Sequence, residues 1–359
     1  MLKSVKYNWI WNKSFDSLFI ILPQFIGLFL LILFQSFFQS HNLTIPLAAW
    51  VILILGIDVS HVYSTLFRTY FDKQSWKQNS NTLILIPFIG LVLGIIVYSF
   101  EAIYFWRLLA YLAVFHFIRQ QYGFVRLYSK SLTLPSWSAQ IDKISVYGFT
   151  IIPILIWHFT GMKNFNWFVD GDFFYFENMY LKNGAQYLFF LLLIIYIGKE
   201  IYSLFHHEFF SLPKFLFMMG TALSWYIGIV LYNGDLIFTL LNVVSHGIPY
   251  IALVWFYGYR NYKSSDENPF LSKLFKFKYL IVFASCLLVF AYFEEGIWDS
   301  LVWNEHKTIF KMFSYFKPIS EDYLVFIIPL LTLPQWTHYV LDGFIWKIGH
   351  DNFYWKKIG

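Results

Sequence analysis

Four of the ten histidines in this 359-residue chain, His61, His116, His246 and His338, stand inside long apolar runs. Neutral imidazole is the commonest metal-ligating side chain. Each of the four has a polar residue one helical turn away. Asp58 precedes His61 by three positions, Gln120 follows His116 by four, Asn242 precedes His246 by four, and Asp342 follows His338 by four. Tyr250 also follows His246 by four. Residues three or four apart share a helix face. A metal-bound imidazole ordinarily donates its second ring N–H to a carboxylate or carbonyl oxygen, which fixes the ring form and raises its basicity. The pattern therefore marks four candidate metal ligands, with Asp58, Gln120, Asn242 and Asp342 as the groups that orient them. One intramembrane histidine alone reads more readily as a hydrogen bond to a neighbouring helix. Four at one depth point to a shared site, because ionisable groups in a membrane are costly and face a bundle interior.

The elements that must position these residues follow from composition. Hydrophobic residues make up 58% of the chain and charged residues 13%, about half the charge of an ordinary soluble domain. Apolar runs long enough to cross a hydrocarbon core recur along its length. They predict ten helices, near 15–38, 46–70, 81–100, 103–129, 142–160, 184–205, 213–232, 236–260, 276–294 and 322–347. The fold class is thus an all-α polytopic transmembrane helix bundle, expected to form one integral membrane domain over residues 1–359. Lys3, Lys6 and Lys13 precede an apolar run too long for a signal-peptide core, so the first run is expected to be retained as a helix. With the N-terminus inside, most of the 26 Lys and Arg residues fall on the cytoplasmic side, which predicts that both termini are cytoplasmic. His61, His116, His246 and His338 then sit on the even-numbered helices, which all run the same way. They lie about 10–20 Å above the cytoplasmic edge at 1.5 Å per residue.

Other features set limits. Cys286 is the single cysteine, which excludes an internal disulfide and a cysteine-based metal site. The net charge of +5 is spread among loops, so no nucleic-acid partner is expected. Pro249 and Pro334 lie within a turn of His246 and His338, where each removes a helical hydrogen bond and bends the segment. Breaks of that kind inside a membrane line cavities. Gly56, Gly123, Gly247 and Gly343 are expected to permit close helix approach at similar levels. The long connections near 161–183 and 295–321 carry Trp167, Phe173, Phe174, Tyr175, Trp298 and Trp303, which are expected at the membrane surface. His206–His207 looks like half of a membrane-desaturase histidine box, but the chain has no HxxxH or HxxHH motif, and the pair stands beside Glu208 at a helix end and reads as a solvated cap. Arg119 is open between binding a phosphate or carboxylate and snorkelling to the cytoplasmic face.

At these residues the chain resembles the Brp/Blh family of bacterial and archaeal membrane β-carotene 15,15′-dioxygenases. "GIDVSHVYSTLF" resembles the family's first histidine segment and "AVFHFIRQQYGF" its His-Phe segment. "NVVSHGIPYIALVW" resembles its H-x-x-x-H helix, with His246 at the first histidine and Tyr250 at the second. "LPQWTHYVLDGFIWK" resembles its last segment. The resemblance covers about a fifth of the chain and rests on the order of the segments. It implies a non-haem iron held by intramembrane histidines and O2-dependent cleavage of a polyene, with His61, His116 and His246 as ligands. The chain departs from the family in Tyr250, in an acidic residue that precedes its histidine at Asp58, and in Arg119 and the two glutamines that follow His116.

The function expected from residues and resemblance together is an iron (Fe2+) oxygenase, of dioxygenase or monooxygenase type, in the bacterial cytoplasmic membrane. Its partners would be O2, membrane lipids and a lipophilic substrate. Neutral imidazoles suit Fe(II), and open coordination positions are what O2 activation needs. His338 is the candidate fourth ligand. Tyr250 and Arg119 are the candidate catalytic residues, with Tyr250 meeting oxygen or substrate through its hydroxyl, and Gln121 is the candidate substrate-binding residue. Two other classes share some of these features. A proton- or ion-coupled transporter also uses broken helices with polar residues near the midplane, and a b-type haem protein pairs histidines as axial ligands.

Overall fold

All ten expected helices are present in the structure, a computed structural model that describes residues 8–206, 210–262 and 268–346. They are α1 (Lys13–Leu33), α2 (Leu47–Arg68), α3 (Lys73–Phe100), α4 (Ala102–Ser129), α5 (Ser136–Thr160), α6 (Met179–Phe205), α7 (Leu212–Leu231), α8 (Asp235–Asn261), α9 (Phe277–Trp303) and α10 (Glu321–Ile345). Each is long and apolar enough to cross a membrane. There is no strand element among the described residues, so the chain is an all-α polytopic helical membrane protein. Ile84, Leu85, Phe88 and Ile89 of α3 are exposed. Water would penalise such a face and lipid would not. The most enclosed helix is α8, whose central window is 89% buried against 22% for α3.

The main departures from the expected boundaries have local causes. Helix α3 begins at Lys73 because Asp72 caps it, its side chain accepting from the backbone N–H of Gln74 at 3.0 Å. The early start is polar and includes a kink at Asn79, where φ is −130° and ψ 17°. Helix α9 runs on to Trp303 through a π-helical turn, Asp299–Trp303, and so takes up the beginning of an expected loop.

The chain divides into two compact units. The first contains Met1–Pro46, Ala113–Pro249 and Trp346–Gly359. Within it, α5 packs along α6, and α7 packs on α1 and α5. A cluster of four buried charges ties α5, α6 and α7 together. Lys214 bonds Asp142 at 2.7 Å and lies 3.3 Å from Glu200, while Lys199 bonds both carboxylates. Two cations and two anions leave the cluster neutral, the condition under which buried charge is tolerated.

In the same unit the connection between α5 and α6 is organised by Asp172, which lies outside the spans. One of its carboxylate oxygens accepts the backbone N–H groups of Trp167, Phe168 and Val169. Burial pushes this carboxyl up, and the N–H groups pull it back down. The loop folds its aromatic residues in two directions. Phe173 is buried, with its ring 4.4 Å from that of Trp157, whereas Phe174 and Tyr175 are exposed. The expectation that all of these rings lie at the surface is thus corrected.

The second unit contains Leu47–Leu112 and Tyr250–Ile345. Here α3 packs against α10, and α2 against α9 and α10. Trp298 is buried and stacks on Trp303 at 5.7 Å, a second correction to the surface assignment. The close approaches are made by glycines that the sequence pattern did not single out. A Cβ at Gly90 would fall 2.3 Å from the Trp336 ring, and one at Gly94 would fall 2.9 Å from Pro329. Two glycines four apart therefore let α3 seat the helix that carries His338. Among the described residues, an added Cβ at Gly123 or Gly343 meets nothing within 4 Å, and at Gly56 it meets only a carbonyl of its own helix. Those positions are not the close contacts expected of them. Helix α10 is interrupted at Thr332, between stretches Glu321–Leu331 and Leu333–Ile345. The break falls just ahead of Pro334, as the missing donor requires.

The charge cluster gives a direct test of what holds α5, α6 and α7 together. Lys214→Met removes one cation and leaves a buried carboxylate uncompensated. It is expected to lower stability by about 3–5 kcal/mol, read as a shift of the detergent unfolding midpoint. The double change Lys214→Met with Asp142→Leu is expected to recover a large part of that loss.

Candidate metal centre

Helix α8 brings His246 to the site, and its shape there is set by Pro249. Proline has no N–H, so the carbonyl of Ser245, four residues earlier, loses its helical donor. Gln24 of α1 replaces it, its amide N–H donating to the Ser245 carbonyl at 2.6 Å. The approach depends on a glycine opposite, since a Cβ at Gly220 of α7 would lie 2.3 Å from the Gln24 Cβ. The next carbonyl, that of His246, accepts from the Gln120 amide of α4 at 2.9 Å. Two glutamines thus hold the α8 backbone at Ser245 and at His246.

The His246 ring lies flat on Phe117, with centroids 3.6 Å apart and planes 10° from parallel. Its Nε2 is 3.1 Å from Nε2 of His116. That spacing has two chemical meanings. Two neutral imidazoles can share one hydrogen here. Two nitrogens bound to one metal at about 2.1 Å each, at right angles, also stand roughly 3.0 Å apart.

His61 and His338 come from α2 and α10. A π-helical stretch, Val51–Val59, precedes His61, and such stretches re-aim the side chains that follow and occur often at functional sites. The His61 and His338 rings are 4.9 Å apart at 80°. Nδ1 of His61 faces the Asp58 carboxylate at 3.6 Å, beyond direct hydrogen-bond length. Nδ1 of His338 lies 2.7 Å from the Thr65 hydroxyl, which also lies 2.8 Å from the Tyr250 hydroxyl. Tyr250 in turn donates to Asp342.

His61, His116, His246 and His338 are all buried, and each offers one ring nitrogen such that the four atoms lie within 4.8 Å of one another. Nitrogens bound to opposite sides of one ion are separated by about 4.2 Å. Four ring nitrogens grouped in this way could hold a metal ion. A buried four-histidine group that can hold a metal is therefore present where the sequence pattern indicated one.

The remaining candidate residues are placed as follows. Arg119 is half-buried and donates to the Tyr147 hydroxyl at 2.8 Å. Gln121 accepts from Thr221 of α7 at 3.0 Å. Asn242 donates to the Phe238 carbonyl of its own helix at 3.0 Å. Tyr250 is fully buried, with its ring 4.9 Å from that of His338. His207 lies outside the described residues, as does the side chain of His206. Three contributors were not singled out from the sequence: Gln24, Phe117 and Thr65. Thr65 carried a signal in retrospect, since it follows His61 by four, the same offset as Gln120, Tyr250 and Asp342. Gln24 and Phe117 carried none, because a glutamine or phenylalanine in an apolar run has no spacing that marks its partner.

No protein-family model matches the chain, and neither a curated protein nor a solved structure matches it.

Replacing Gln24 isolates the role of the proline break. Gln24→Leu leaves the Ser245 carbonyl buried without its donor and is expected to cost about 1–3 kcal/mol, measured by denaturation in detergent. Gln24→Glu, which keeps the length but loses the N–H donors, should fail to restore it.

Proposed function

We propose that this protein is a membrane-embedded, histidine-ligated non-haem iron oxygenase acting on a lipophilic, carotenoid- or lipid-like substrate. The observation that carries the proposal is the convergence of four buried imidazoles, within 4.8 Å of one another, on helices of a membrane protein. Imidazole is a borderline ligand that suits iron among the first-row metals, and a four-histidine set leaves coordination positions open. Iron held there supplies O2 activation. The order of the histidine-bearing segments, which resembles that of the Brp/Blh carotenoid dioxygenases, supports the same chemistry.

The chain's own residues provide position and exclusion of water. Phe117 fixes the plane of His246 by stacking, and Gln120 and Gln24 fix the backbone beneath it. Tyr250 presents a hydroxyl already committed to Asp342, so its oxygen is held still beside the His338 ring. Such a group orients a substrate or an oxygen species without reorganising as reaction proceeds. A hydrophobic substrate would enter sideways from the membrane between helices. Arg119 and Gln121, on the helix of His116, would meet a polar end group.

The competing classes make different demands. A porphyrin would supply four equatorial nitrogens of its own, and four imidazole nitrogens this close leave no room for its plate, which favours non-haem iron over a b-type haem. A transporter shares the interrupted helix α10, but needs a solute path more than a set of convergent neutral ligands.

Anaerobic purification followed by metal analysis decides among them. Stoichiometric iron is expected, without a Soret band. The double change His116→Ala with His246→Ala is expected to abolish iron retention, an effect larger than the 10–100-fold typical for groups one step behind the ligands. Wild-type protein that carries no iron and cannot take up Fe(II) would overturn the proposal. Histidine-dependent flux in proteoliposomes by that metal-free protein would establish the transporter.

A further inference from the structure

We infer that Thr65 sets the ring form of His338, as the middle member of a one-way hydrogen-bond chain that begins at the Asp342 carboxylate. The inference deepens the metal-site proposal, since it names the nitrogen that His338 turns to the metal and the residues that fix it. Its first test does not need the metal.

Each hydroxyl in the chain has a single hydrogen to give. The Tyr250 hydroxyl has one hydrogen and donates it to Asp342 Oδ1. An ionised carboxylate only accepts. The contact of 2.8 Å between Tyr250 and Thr65 must then be made with Thr65 as donor. Thr65 also has one hydroxyl hydrogen, and it is now committed. Its contact of 2.7 Å with Nδ1 of His338 must be one in which the ring donates. A neutral imidazole carries a single N–H, so Nδ1 holds it and Nε2 carries the lone pair. Thr65, Tyr250 and His338 are all buried, which removes bulk water as a competing partner. Many buried hydroxyls in this protein bond the carbonyl four residues back in their own helix, as Thr69 and Thr150 do. The Thr65 hydroxyl makes no such bond and has Tyr250 and His338 as its partners.

The positions show how the chain is built. Thr65 follows His61 by four, Tyr250 follows His246 by four, and Asp342 follows His338 by four. Each member lies one turn beyond a proposed ligand and projects from the same face. The helices that carry His61 and His246 each lend a hydroxyl to the third histidine. The helix of His338 supplies the terminal carboxylate through two intermediaries. Hydrogen bonds in series polarise one another, so Nε2 of His338 becomes a stronger donor to a cation than an isolated imidazole nitrogen.

Solid-state NMR of nitrogen-15 histidine-labelled, metal-free protein reads the ring form directly, with the His338 signals identified by their loss in His338→Gln. The expected result is a protonated Nδ1 and an unprotonated Nε2 at His338. Thr65→Val keeps the shape and removes the acceptor, and should convert His338 to a mixture of ring forms, whereas Thr65→Ser should restore the wild-type spectrum. Tyr250→Phe should loosen the preference while leaving Thr65 in place, and it serves as the second probe should Thr65→Val fail to fold. A wild-type His338 protonated at Nε2 would mean that the chain runs in reverse from a protonated Asp342, and would overturn the inference. A spectrum unchanged in both Thr65→Val and Tyr250→Phe would do the same. Titration with Fe(II) under anaerobic conditions then reads the consequence, an affinity about 10–100-fold weaker in Thr65→Val and near wild type in Thr65→Ser. A wild type that has the expected ring form but binds no Fe(II) would sink the iron proposal and leave the hydrogen-bond chain standing.

Discussion

Inside a bilayer an unpaired backbone carbonyl has no water to turn to, and its cost is several kcal/mol. Pro249 creates one such carbonyl at Ser245. The hydrogen bond from Gln24 that answers it has consequences well beyond its own energy. It requires α1 to lie close to α8, and it requires a glycine at 220 so that α7 can pass the Gln24 side chain. It also holds the backbone next to His246, the residue after Ser245, whose own carbonyl is taken by Gln120. The His246 ring lies against Phe117 and His116 from this doubly anchored turn. A straight helix would keep its own carbonyls satisfied and would have no use for either glutamine.

The charged groups of the first unit follow a separate logic. Asp142, Lys199, Glu200 and Lys214 compensate one another completely within α5, α6 and α7, so this cluster has no charge to offer a ligand. The histidine group is the converse. It is a set of imidazoles, with every member buried, and none of them brings a carboxylate of its own to the group. Sequence composition cannot separate these two arrangements, because both place polar residues in apolar runs. They differ in whether the partners neutralise one another, which only the packing reveals.

What the sequence made legible was the set of residues that are expensive in lipid for a reason of type. Ten apolar runs and four histidines inside them stand out because chance rarely places them there, and the offsets of three and four follow from helix geometry alone. The partners of the Gln24 amide and the Thr65 hydroxyl were out of reach for a different reason. Gln24 meets Ser245 across 221 positions, and Thr65 meets His338 across 273. Such distances are fixed by tertiary packing, and no local period encodes them. The glycines show the same limit. Gly123 and Gly343 sit near histidines in the sequence yet face open space, whereas Gly90 and Gly94 sit near none and carry the contact with α10.

Charge balance connects the two carboxylates beside the site to its proposed occupant. Four neutral imidazoles around a divalent ion would leave two positive charges in a medium that solvates them poorly. Asp58 lies 3.6 Å from Nδ1 of His61, and Asp342 terminates the chain from Nδ1 of His338. In their ionised forms these two groups would carry two negative charges, Asp58 behind an imidazole and Asp342 behind an imidazole and two hydroxyls. That distance matters. Carboxylates bound directly would neutralise the ion and occupy its open positions, whereas carboxylates behind the rings stabilise the charge and leave those positions free for O2 and substrate. His116 and His246, by contrast, are supported by a stacked phenylalanine and by amides bonded to backbone. Carboxyl groups thus stand behind His61 and His338, an arrangement that would make their nitrogens stronger donors to a bound cation.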